Sequence, residues 1–137
     1  MSGLERVAML VTLIERLCEV MAREAECVRR MAVDRIGELQ QEKRTLAQAY
    51  EKELSALRRQ PEAVAALPLR TRQELEQAMR RLQAASRRNA DLLLAAKSVT
   101  ERLLRRVTEA LAEEPRAVAP PPARGGRVIA VSFDRSI

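Results

Sequence analysis

Cys18 and Cys27 are the two thiols of a chain that has no His and no Trp, and in which Tyr50 and Phe133 are the aromatics. On one helix, nine steps of about 100° put the two thiols on opposite faces, so within one chain they neither bridge nor chelate together. General acid-base chemistry recruits His or carboxylates with shifted pKa values in a cleft. The sequence has no His, a rod of paired helices would offer no enclosed pocket, and there is no Gly-rich phosphate loop and no metal-ligand spacing. It implies a binding surface and not an enzyme, with no catalytic residue, no metal and no cofactor.

Two polar patterns remain. Arg80 and Arg81, Arg87 and Arg88, and Arg105 and Arg106 return near the same helical face as a basic stripe. Such a stripe can track phosphates, but it lacks the interleaved aromatics that stack on bases. It equally suits an acidic protein partner, or a solvated face pairing with Glu15, Glu19 or Glu24 of a neighbouring helix. Asn89 falls at an apolar seam position, where an amide costs stability unless partnered and fixes register when it is.

These residues must be carried by long helices. Leu4, Val7, Val11, Ile14, Cys18, Met21, Ala25 and Val28 recur at three- and four-residue steps, the spacing of a helix-packing seam. Ser2 and Glu5 form a capping box at its start. The pattern continues to residue 59, with longer steps near Ile36 and Tyr50, and Gly37 is the expected kink. Pro61 and Pro68 bracket a connection over 60–71. Thr71 and Glu74 then form a second capping box, and Leu75, Ala78, Leu82, Ala85, Asn89, Leu92, Ala96, Val99 and Leu103 repeat at heptad spacing. The expected fold is all-α: a long antiparallel helical hairpin of coiled-coil type, with helix 3–59, connection 60–71 and helix 72–114. Pro115 and the Pro/Gly cluster at 120–126 predict a disordered tail over 115–137. Within it, residues 127–133 have strand propensity without a partner strand, making Val128, Val131 and Phe133 a candidate docking segment.

Composition agrees with a thin helical body. Hydrophobic residues make up 47% of the 137 and are mostly Ala, Leu and Val, while charged residues make up 32%. Half of the net charge of +6 belongs to the tail, where Arg116, Arg124, Arg127 and Arg135 face only Asp134. Two thiols without a disulfide framework, no signal-peptide pattern and no apolar run of membrane-spanning length predict a cytoplasmic chain.

The apolar stripes are wider than a two-helix seam requires. Leu10, Leu17 and Met31 flank the first seam, and Met79, Leu93 and Val107 flank the second. Pairing these two helices alone would leave both flanks in water. A homodimer or a partner's helix laid into the groove would cover them.

The Ile-Glu-Arg-Leu at 14–17, the stretch from Arg35 to Leu46, Ala-Tyr-Glu at 49–51 and Arg88-Asn89-Ala90 resemble the FlgN family of flagellar export chaperones. The terminal Val-Ser-Phe-Asp-Arg-Ser-Ile is similar to the tail of alphaproteobacterial members. The resemblance implies a cytoplasmic chaperone that binds hook-filament junction (hook-associated) proteins, prevents their premature assembly and delivers them to the type III export apparatus. It places client binding on the C-terminal part, here Leu92, Leu93, Val99, Leu103, Leu104, Val107 and Leu111. The Pro-rich break and strand-like tail depart from a simple C-terminal amphipathic helix, leaving open whether helix, tail or both hold the client. A coiled-coil scaffold or adaptor dimer, and a basic helical protein associated with nucleic acid, are the alternatives.

Overall fold

In a computed structural model of the chain, which describes residues 1–112, four helices follow in order: α1 (Gly3–Arg29), α2 (Val33–Arg58), the short α3 (Pro61–Ala65) and α4 (Leu69–Ala112). The all-α class and the antiparallel packing of long helices are those the heptad spacing implies. The expected tail, with Val128, Val131 and Phe133, lies outside the described residues, as do 113 and 114 of the second long helix.

Helix α1 starts as its capping residue predicts, with Ser2 Oγ accepting from the Glu5 amide at 3.2 Å. It ends earlier than the periodicity suggests. Met31 adopts a left-handed φ of 57°, the Ala32 amide donates to the Cys27 carbonyl at 2.9 Å, and the Met31 amide donates to Val28 at 3.2 Å. This pair of bonds is a Schellman termination. The expected continuous helix 3–59 is therefore two helices, α1 and α2, that reverse over residues 30–32. Gly37 is not the bend, because α2 runs through it unbroken.

Energetics explain the reversal. A non-glycine residue in the left-handed region costs about 1–2 kcal/mol. Folding α2 back helps bury Leu10 and Leu17, both fully inaccessible, and burying one such side chain contributes about 1.5–3 kcal/mol. The flanks expected to need an outside partner are thus covered from within this chain. Met31, which caps the turn and is 77% exposed, and Val107, which is 56% exposed, are the exceptions. Leu4 of the predicted seam is also exposed.

At the opposite end, Arg6 Nη1 on α1 meets Glu53 Oε2 on α2 at 3.0 Å. Pro61 stands in the first turn of α3, and buried Leu67 follows it. A Cβ on Gly3 would meet Leu67 Cδ2 at 3.5 Å and Ala63 Cβ at 3.6 Å, so α3 closes against the start of α1. Helix α4 begins directly after Pro68, whose carbonyl accepts the Arg72 amide at 3.1 Å. Thr71 consequently lies inside the helix and does not cap it.

Helix α4 then returns alongside α1, making an up-down-up arrangement in which α1 packs on both α2 and α4. The core draws Val7, Leu10, Ile14 and Leu17 from α1, Tyr50, Leu54 and Leu57 from α2, and Leu75, Ala78 and Leu82 from α4.

Candidate functional site

Helix α4 outruns its neighbours. Every residue from 97 to 112 is exposed, a projection of about 24 Å at ~1.5 Å per residue. Along it, Val99, Leu103, Leu104, Val107 and Leu111 are 40–56% exposed. At about 100° per residue these side chains extend the same face of α4 that buries Leu75, Leu82 and Asn89 lower down. The face that forms the core therefore continues as an uncovered stripe.

The structure separates the seven apolar residues expected to hold a client. Those five project on the arm. Leu92 is half-buried where the arm leaves the bundle, and Leu93 is 3% exposed. Leu93 is a packed side chain, unavailable to a partner, because its position continues the buried edge set by Met79 and Ser86.

The arginine pairs are exposed, and two of the three carboxylates expected opposite them are engaged elsewhere. Glu19 pairs with Arg23 on its own helix, and Glu24 pairs with Lys43. By helical angle, Arg81, Arg88 and Arg106 border the apolar face, while Arg80, Arg87 and Arg105 lie farther round.

Asn89 is buried in a polar cluster that joins all three long helices. Lys43 Nζ donates to Glu24 Oε1 at 2.8 Å and to Asn89 Oδ1 at 3.0 Å, and Asn89 Nδ2 donates to Glu24 Oε1 at 2.9 Å. Glu24 and Lys43 are at most 1% exposed. Sequence reasoning found Asn89 but missed its partnership with Lys43. The signal was present: Lys43, Ala47, Tyr50, Leu54 and Leu57 keep a four-three-four-three rhythm, and Glu24 follows Leu17 by seven.

Beside this cluster a cleft of about 350 Å³ opens between α1 and α4. Ala22, Ala25 and Ala85 leave the space, Met21 and Leu92 add apolar wall, and the exposed Arg29 and Arg88 stand at its edge. Cys18 also lines it. Burial pushes this thiol above its ordinary range, outweighing the pull of Arg81 and Arg88 in the opposite direction, and Glu15 adds to the rise. It is predominantly protonated at neutral pH and a poor nucleophile.

Among the described residues no group of three or more Cys, Asp or Glu side chains is placed to hold a metal ion, and no helix is long and apolar enough to cross a membrane. The fold and site define a three-helix bundle carrying a projecting amphipathic arm. Comparison of the chain with family models, with curated proteins and with solved structures gives no match.

Proposed function

We propose that this chain is an export chaperone that captures an amphipathic helix of its client along the α4 arm, in the manner of the FlgN-type proteins it resembles. The observation that carries the reading is the continuity of the exposed stripe from Val99 to Leu111 with the buried face of the same helix. A helix with its apolar face already shaped for helix packing, and no helix among the described residues to pack on over residues 97–112, suits a partner's helix. The clients, by the resemblance, are hook-associated flagellar proteins in the cytoplasm, and the export apparatus receives them.

The mechanism is competition. A client helix that will later pack within an assembled structure buries its apolar face on α4 instead. Five half-exposed Leu and Val side chains offer about 4–7 kcal/mol in gross burial. Association itself costs about 4–15 kcal/mol, so binding through the stripe alone is weak and release is easy.

The test uses purified hook-associated proteins from the same organism, mixed with this chain and separated by size with light scattering. A stoichiometric complex, lost in Leu103→Asp with the helical spectrum retained, is the expected result. No complex, together with a dimer of this chain that Leu103→Asp dissociates, would replace the chaperone with the coiled-coil adaptor.

A further inference from the structure

Leu92 belongs to two features at once. It is the inner end of the α4 stripe that runs outward through Ala96, Val99 and Leu103, and it lines the α1–α4 cleft. A helix lying on the arm and continuing toward the bundle passes directly over this cleft. The stripe alone is too thin a contact for a specific partner, so the place where a concave, alanine-lined hollow meets it is where an anchor side chain adds most.

The edge of the hollow is charged in one sense. Arg29 on α1 and Arg88 on α4 approach it from its two walls. Arg29 donates to Glu26 at 3.2 Å, and Arg88 has no ion-pair partner among the described residues. A guanidinium carries five donors, so both keep capacity for a carboxylate. Lysines on an approaching helix would meet like charge there.

We propose that this cleft is the anchor site for the partner helix: a bulky apolar side chain, Leu, Met or Phe, seats among Ala22, Ala25 and Ala85, and carboxylates beside it meet Arg29 and Arg88. The inference rests on the helix-capturing reading of α4 and specifies the partner's chemistry as an acid-flanked amphipathic helix. Cys18 reports on it, because an occupant of the cleft shields the thiol from solvent.

The experiment uses the full chain carrying Cys27→Ser, which leaves Cys18 as its single thiol. The probes are two synthetic amphipathic peptides of about 20 residues, long enough to follow α4 from Leu92 to Leu111. They share one leucine stripe and differ only in flanking Glu or Lys. Affinity is read by fluorescence anisotropy, and occupancy by the rate at which a maleimide modifies Cys18. The Glu-flanked peptide is expected to bind about tenfold more tightly and to slow modification in proportion to occupancy. Arg29→Glu combined with Arg88→Glu should reverse the preference.

Binding that leaves Cys18 as reactive as before, is indifferent to the arginine reversals and is still lost in Leu103→Asp would overturn the cleft while sparing the arm. Failure of both peptides to bind would overturn the helix-capturing reading as well. Protection of Cys18 without peptide, through dimerisation of the chain, would overturn the inference by assigning the cleft to a second copy.

Discussion

Lys43 Nζ on α2 lies 2.8 Å from Glu24 Oε1 on α1, and neither side chain is more than 1% exposed. Asn89 of α4 bonds to both, so one hydrogen-bonded ring ties together three helices that otherwise meet through interchangeable Leu and Ala contacts. Apolar seams tolerate sliding by a turn, whereas a buried ring closes in only one register. Glu24 Oε2 has no hydrogen-bond partner among the described residues, so the carboxylate depends heavily on the bonds made by its other oxygen.

Lys43→Met should therefore be costly, because it leaves a buried carboxylate without its cation. The expected loss is about 3–5 kcal/mol, measured by urea unfolding. Glu24→Leu, Lys43→Met and Asn89→Leu together should recover most of that stability, since an apolar layer of similar volume removes the desolvation cost altogether. A triple variant no more stable than Lys43→Met alone would contradict the ring as the source of the loss.

The legible parts of the fold were those written in apolar spacing. Val7, Ile14 and Met21 were readable as a buried seam, and Leu75, Ala78 and Leu82 as its counterpart. The excess width marked by Leu10, Leu17 and Met79 was also readable, but its cause was not, because the covering helix is α2 itself. No Gly or Pro announces the reversal at residues 30–32, and Met31 is held left-handed by tertiary packing against its local preference. Lys43 and Glu24 were hidden because a charged side chain at a heptad position reads as solvent-facing until the third helix is in place.

Met31→Gly distinguishes the two descriptions of this segment by sign. In the reversed chain, Gly relieves a left-handed residue whose side chain is 77% exposed, and stability should rise by about 1 kcal/mol. In an unbroken helix over 3–59 the same change would cost about 1 kcal/mol. Unfolding midpoints in urea at equal m-value settle the sign. Gly37→Ala is the companion change, since a Cβ there meets nothing within 4 Å in the body of α2, and it should add about 0.8–1.0 kcal/mol.

Tyr50 predicts how the bundle responds to alkali. Its pKa is pushed up to about 12, chiefly by burial, with Glu51 adding to the rise and Arg58 opposing it. The unfolded phenol titrates near 10. A raised folded pKa means that the contribution is complete below about pH 10 and is lost as pH climbs toward 12. The loss over that window is roughly 2–3 kcal/mol at ~1.4 kcal/mol per unit. Tyr50 is the chain's single tyrosine, so absorbance at the phenolate band follows it alone. Tyr50→Phe should show a shallower fall in stability over the same pH range. Identical alkaline profiles for the two proteins would exclude Tyr50 as the cause.

Leu82 and Leu103 sit on one face of α4, 21 residues apart, and should respond oppositely to mutation. Leu82 is fully buried between helices, and Leu82→Ala removes packed methyl groups, leaving a cavity that costs about 2–5 kcal/mol. Leu103 is 50% exposed on the arm, beyond any neighbouring helix among the described residues, and Leu103→Ala should change bundle stability by no more than about 0.5 kcal/mol. Binding should invert the order. At low denaturant, where Leu82→Ala is still folded, it should retain affinity for an amphipathic peptide, while Leu103→Ala loses several-fold. Parallel urea unfolding and anisotropy titrations measure both. A large stability loss at Leu103 would mean that the arm packs on its own bundle in solution, and the stripe would then be core and not a surface for a partner.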